Sequence, residues 1–345
     1  MALVKKIARV LFALSCVLGI GIFVAVAWTS IRPVRPVGFH QALVTDPGHR
    51  PIAVAILYPT TDKPRWTWFG VAAVKLASDG AVDGKKLPLV VISHGNYGTQ
   101  ASHLDTVLAL VEAGYVVAVP LHNGDNFQDT SQVGTSDWIV DRARHIARAN
   151  DYMLRQWQGR AHVDAARIGV FGYSAGGTTG LVTIGGTPDF ARVGPHCNAK
   201  REFICDLLKP GAPMRVPAAS EWVHDPRVHA AVIVAPGFGF AFEPDGLAGV
   251  KAPVQLWAGE ADRNLPLATN ADTVRRLLPV PVEFHLVERA GHFSFLPPCG
   301  LLKPLLPRML CTDPPGFDRQ AFHKVFNAAV VAFFNEELGK SPDAL

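Results

Sequence analysis

Ile168-Gly169-Val170-Phe171-Gly172-Tyr173-Ser174-Ala175-Gly176-Gly177 reads as a buried strand running into a sharp turn, and residues 178–184 continue it as a helix. Within it lies G-x-S-x-G, a pattern that sets a serine on a strained strand-to-helix turn. Such a turn has no room for a Cβ at either flanking glycine. With 11 serines in the chain, chance alone gives roughly 0.1 such matches, and the position between strand and helix is the context the motif requires. The helix N-terminus behind Ser174 favours developing negative charge beside it. Ser174 is therefore a candidate nucleophile.

Outward from this turn, short β-branched runs alternate with longer helical stretches. Strands are expected at residues 52–58, 89–93, 116–119, 167–172, 230–235, 254–258 and 282–287. Helices are expected at 100–113, 137–156, 175–184, 268–278 and 318–337. Runs such as Leu89-Val90-Val91-Ile92 and Val232-Ile233-Val234 are apolar throughout, as strands buried on both faces should be. Alternation of this kind implies an α/β domain, a mostly parallel central sheet with helices on both faces. Residues 185–227 depart from it, being rich in Pro, Gly and charge. A stretch this long without clear period reads as an insertion between two strands, placed to act as a lid.

A serine nucleophile needs a base and an acid. In a sheet of this kind they follow it in the order Asp/Glu, then His, on loops at the ends of later strands. Among 13 histidines, His292 follows the last expected strand within Arg289-Ala290-Gly291-His292-Phe293 and is the candidate base. Gly259-Glu260-Ala261-Asp262-Arg263 follows the strand before it. Asp262 is the candidate acid because one more residue carries it clear of the strand end, and Glu260 is its rival. Oxyanion donors are expected from the backbone N–H of Ala175 and from the loop Ser93-His94-Gly95-Asn96-Tyr97-Gly98. Asn96 is assigned there, with Tyr97 its nearest competitor, and His94 is read as shaping the loop. Tyr97 and Phe293, with Phe127, Phe238, Phe240, Phe242 and Phe295, are aromatic residues on neighbouring loops. They suggest a pocket for apolar groups, with Tyr97 and Phe293 touching substrate.

The set SHGNYG, GYSAGG, AGEAD and AGHF resembles the α/β-hydrolase superfamily over about residues 50–340. Within that superfamily the chain looks most like the predicted dienelactone hydrolase and platelet-activating-factor acetylhydrolase-like group, with cutinase-like polyester hydrolases as relatives. The stretch from Gly114-Tyr115-Val116-Val117 to Gly124-Asp125-Asn126 adds to that likeness. The resemblance implies carboxylic-ester hydrolysis by Ser174, His292 and Asp262 through an acyl-enzyme, with the Asn96 and Ala175 amides holding the oxyanion. It implies a small-molecule ester substrate and no cofactor. True dienelactone hydrolases use a cysteine where this chain has Ser174, so the family label does not assign a substrate. A lipase, a peptidase or an acyltransferase would use the same residues, and a catalytically silent, membrane-tethered binding module is the non-enzymatic alternative.

Composition narrows the rest. The 345 residues are 49% hydrophobic and only 18% charged, which excludes intrinsic disorder. A net charge of +4 without Lys/Arg blocks gives no reason to expect a nucleic-acid partner. Neither H-E-x-x-H nor paired C-x-x-C spacing is present, so no metal is expected. Lys5, Lys6 and Arg9 precede an uncharged run from Val10 to Trp28. This pattern reads as a signal peptide over residues 1–27, ending at Ala25-Val26-Ala27, or as an uncleaved membrane anchor. Residues 28–49 then read as a linker. Either way the body is exported, to a periplasmic or extracellular location. Without residues 1–27 it is nearly neutral and keeps four cysteines. The local pairings Cys197–Cys205 and Cys299–Cys311 close the shortest loops and are expected as disulfides.

Overall fold

A computed structural model describes residues 2–208 and 214–339; residues 209–213 of the expected insertion lie outside the described residues. Helix α1 (Ala2–Thr29) is followed by strands β1 (Val37–Val44), β2 (Ile52–Pro59), β3 (Arg65–Phe69), β4 (Ala72–Ser78) and β5 (Leu87–Ser93). Next come α2 (Leu104–Glu112), β6 (Val116–Pro120), α3 (Asp137–Arg155), β7 (Val163–Tyr173) and α4 (Ala175–Thr183). Two short helices, α5 (Val193–Ala199) and α6 (Phe203–Leu207), lead to β8 (Val228–Val234) and α7 (Pro244–Leu247). The remaining elements are β9 (Val254–Gly259), α8 (Ala271–Leu277), β10 (Val282–Val287) and α9 (Arg319–Gly339).

All ten strands form one sheet in the order β10-β9-β8-β7-β5-β6-β2-β1-β4-β3. From β6 to β10 every neighbouring pair is parallel. Helices α3, α4 and α8 cover one face, packing Ile146, Met153, Leu181 and Val274 against the sheet. On the other face α2 and α9 contribute Val107, Leu110, Phe326, Val330 and Phe334. The buried positions of α9 recur every three or four residues, the stripe that seats a helix on a sheet. Parallel strands point their C-terminal ends the same way, so the loops after β5, β7, β9 and β10 gather at one edge.

The expected central strands and helices are present, with shifted ends; α2, for example, starts at Leu104 rather than at residue 100. Three strands were not expected. Residues 28–49, expected as a linker, contain β1, which pairs with β2 along eight residues. Beyond it β4 pairs in parallel with β1, and β3 with β4 as a hairpin. These strands extend the sheet on the side away from the loop cluster. Gly38, His40 and Gln41 in β1, and Arg65 and Thr67 in β3, interrupt the apolar runs by which the central strands were recognised.

The expected insertion folds as α5 and α6, closed by the Cys197–Cys205 disulfide. Cys299–Cys311 is the second disulfide, and Cys16 is free. Several side chains of α1 lie outside the description. Among the described residues, no helix is long and apolar enough to cross a membrane.

Candidate active site

Ser174 stands between β7 and α4 at φ 57° and ψ −120°, a backbone region that an L-residue adopts only under strain. The flanking glycines permit it. A Cβ on Gly172 would lie 2.0 Å from the Gly176 carbonyl oxygen, and one on Gly176 would lie 2.0 Å from that of Ser93. The turn is tied down at both ends. Ser174 N–H donates to Val234 O at 2.9 Å, and Ser174 O accepts from Gly177, Thr178 and Gly237.

Three loops bring the sequence-predicted side chains together. His292 Nε2 lies 3.0 Å from Ser174 Oγ, and His292 Nδ1 lies 2.7 Å from Asp262 Oδ2. Asp262 Oδ1 accepts the backbone N–H groups of Asn264 and Leu265, both at 2.9 Å. With Asp262 and His292 both buried, this carboxylate holds the imidazole with its Nε2 toward the serine. Glu260 is occupied elsewhere, accepting the N–H of Arg289 at 3.0 Å.

The choice between Asn96 and Tyr97 has a geometric basis. Tyr97, at φ 59°, donates its N–H to Asp125 Oδ1 at 3.0 Å. The N–H groups of Asn96 and Ala175 meet no acceptor among the described residues. Ala175 opens α4, where an N–H has no partner within its own helix. Of the two residues expected to touch substrate, Phe293 packs edge-on against His292, with ring centroids 5.4 Å apart. Tyr97 is largely exposed and lines neither cleft. Phe238 lines the inner cleft, Phe127 is exposed, and Phe240, Phe242 and Phe295 are core residues.

Two clefts meet at Ser174 and His292. The inner one is small, about 20 Å³, and is lined by Asn96, Trp138, Ser174, Ala175, Phe238, Leu265 and, from the insertion, Phe203, Ile204 and Leu207. A wider, open one of about 440 Å³ lies on the His292 side, against Arg263, Asn264, Phe293, Thr312 and Pro314.

Beneath these groups lies a layer of supporting residues, of which sequence reading had singled out only His94, as shaping the loop after β5. Arg142 is fully buried beneath the loop after β5. It pairs with Asp125 at 2.6 Å, donates to the His94 carbonyl and bonds Thr179 Oγ1 at 3.0 Å. Trp138 Nε1–H also donates to Asp125. Burial, reinforced by the neighbouring Arg142 charge, pushes His94 well below its ordinary pKa. Neutral His94 therefore donates from Nδ1 to Gly95 O at 2.8 Å while Nε2 accepts the His122 N–H at 3.2 Å. Burial likewise raises Tyr173 far above the usual phenol value. Its OH stays protonated and donates to the His292 carbonyl at 2.9 Å, and its ring stacks on the imidazole. His323 of α9 reaches the same loop, with Nε2 3.0 Å from Ser294 O and Nδ1 2.6 Å from Asp105. Arg142, Trp138 and His323 stand in no local motif, since each acts across a long sequence separation.

Residues 72–201 match the dienelactone hydrolase family, a span that includes the loop after β5 and Ser174 but not Asp262 or His292. No curated protein matches the chain. Among solved structures the fold is similar to that of a ferulic acid esterase from Streptomyces cinnamoneus. The TM-score is 0.64 at 20% identity, over 91% of this chain and 95% of that one. It is also similar to a Mycobacterium tuberculosis puromycin-hydrolyzing peptidase, with a TM-score of 0.54 at 14% identity, over 88% of this chain and 40% of that one. At such identities the structural likeness bears on the fold alone. Residues 72–201 are thus similar to the dienelactone hydrolase family, and the fold is shared with these two hydrolases.

Proposed function

We propose that the protein is an exported serine carboxylic-ester hydrolase in which Ser174 is the nucleophile, His292 the general base and acid, and Asp262 the group that orients His292. The carrying observation is the continuous line from Asp262 Oδ2 through His292 to Ser174 Oγ, at 2.7 and 3.0 Å, beside two unoccupied backbone amides. Ser174 Oγ attacks the ester carbonyl as His292 Nε2 takes its proton, and the imidazolium is stabilised by Asp262. The N–H groups of Asn96 and Ala175 hold the oxyanion, each worth about 3 kcal/mol. Collapse expels the alcohol, which takes the proton from His292. Water, deprotonated by the same nitrogen, then cleaves the acyl-enzyme. Export is supported by the basic-then-apolar N-terminus and by the two disulfides, which persist in oxidising compartments.

Replacing Ser174 with Ala is expected to abolish both hydrolysis of p-nitrophenyl butyrate and labelling by a fluorophosphonate. Unchanged turnover in that variant would overturn the assignment. The peptidase among the structural neighbours makes amide cleavage the rival activity. Faster release from p-nitroanilides than from the matching esters would favour it.

A further inference from the structure

The strand at the β3 edge of the sheet carries aromatic rings where polar groups are ordinarily found. Its side chains alternate between two faces. Phe69 faces the protein, buried edge-on against Phe39, and Trp66 and Trp68 lie on the opposite face. The outward face of a half-buried strand is usually polar, yet Trp66 and Trp68 are 36% and 66% exposed, and Val71 follows them at the exposed turn into β4. Lys75 of β4 stands opposite Trp66 and holds its ammonium 4.4 Å over that ring.

The segment that leaves α1 is stitched to this hairpin. Ile31 N–H donates to Ala73 O at 2.8 Å, and Ile31 O accepts the Lys75 N–H at 2.9 Å. β4 thus lies between Ile31 and β3, so two strand spacings, about 10 Å, separate the end of α1 from β3. Trp28 and Val34, on either side of Ile31, are also exposed. Arg35, Lys63 and Arg65 are exposed and form no ion pair among the described residues. The carboxylates nearby are engaged, Asp62 with the Ala81 N–H and Asp79 with His40. The patch therefore joins aromatic side chains to uncompensated positive charge. Tryptophan concentrates where headgroups meet acyl chains, because its ring is apolar and its N–H polar. Unpaired Lys and Arg add attraction to anionic lipid. A second copy pairing along β3 would instead bring these cations face to face. On the export reading, the uncharged run before Trp28 is delivered to a bilayer, and the hydrogen bonds of Ile31 carry the hairpin there with it.

We propose that the β3–β4 hairpin is a membrane-contact surface, which seats Trp66 and Trp68 among the headgroups of an anionic bilayer. The test mixes the full chain with vesicles of phosphatidylcholine and phosphatidylglycerol, with and without bromine on the acyl chains. Bromine quenches only tryptophans that touch lipid. Of the seven tryptophans, Trp138, Trp157, Trp222 and Trp257 are buried, which leaves Trp28, Trp66 and Trp68 as reporters. Trp66→Phe/Trp68→Phe is expected to lower the quenched signal at least twofold at an unchanged melting temperature. An unchanged quenched signal puts Trp28 alone in lipid and overturns the proposal. Equal quenching of the wild type in pure phosphatidylcholine overturns it too, since the cations then attract nothing. So does a wild-type dimer that the variant loses on sedimentation, with no quenching in either, which assigns the hairpin to a second copy. Should the variant not fold, amide hydrogen exchange of the wild type decides. Residues 65–71 exchanging as fast with vesicles as without them have the same overturning force.

Discussion

Asp125 makes three contacts that together fix the loop after β5 and commit the Tyr97 N–H. One oxygen accepts the Tyr97 N–H; the other pairs with Arg142 and accepts from Trp138. Holding Tyr97 in the left-handed region leaves Asn96 as the residue whose N–H is uncommitted. Breaking a buried ion pair from one side costs about 3–5 kcal/mol, because the remaining charge stays buried without its partner. Asp125→Asn is therefore expected to lower the melting temperature and, at temperatures where it is folded, to reduce kcat. Calorimetry and ester kinetics check the two effects, and an unchanged kcat would show that the loop keeps its shape without the carboxylate. That Ser174, His292 and Asp262 would lie close together was legible in the sequence, because each follows an expected strand by a few residues. Asn96 and Tyr97 were not separable there, since Asp125 lies 28 residues from Tyr97.

At the scale of elements, the insertion between α4 and β8 is the least regular part of the fold and the wall of the inner cleft. Its two helices are five and seven residues long, too short to be stable alone. Three things hold them: the Cys197–Cys205 bond, the burial of Ile204, and Glu202. Glu202 accepts from Asn270 Nδ2 at 3.0 Å and faces His196 Nε2 at 3.2 Å. Closing so short a loop is worth about 2–3 kcal/mol by chain entropy. The double variant Cys197→Ser/Cys205→Ser is expected to speed amide hydrogen exchange in α5 and α6 and to raise KM for short esters while Ser174 still takes a fluorophosphonate label. Protection equal to wild type would assign the lid's rigidity to packing alone. The sequence indicated the lid's place and its cysteine pairing. Its helices left no trace, because Pro195 and Gly194 interrupt any apolar period.

For the molecule as a whole, four buried histidines tie stability to pH. Burial lowers His94 and His122 well below their ordinary value, His103 to about 4 and His145 to about 3. In the unfolded chain each takes up a proton near pH 6.5. Their contribution is therefore complete above that pH and is lost as pH falls toward the folded values, by about 1.4 kcal/mol per pH unit for each histidine. Melting temperature is expected to fall steeply between pH 7 and pH 5, and a flat profile over that range would contradict the assignment. The central strands β5 and β6 were readable because strands buried on both faces leave unbroken apolar runs, whereas β10, at the sheet edge, was read despite Glu283 and His285. The outer strands beyond β2 were not: β3 is only five residues long and mostly exposed, and polar residues break the run of β1.

The hold of α9 on the His292 loop reaches into biosynthesis. Through His323 and Ser294, the base is fixed by a helix that is translated long after Ser174 has emerged. A chain that lacks α9 thus carries Ser174 without the support that fixes the His292 loop. On the proposed mechanism, Ser174 would become a competent nucleophile only once α9 has docked.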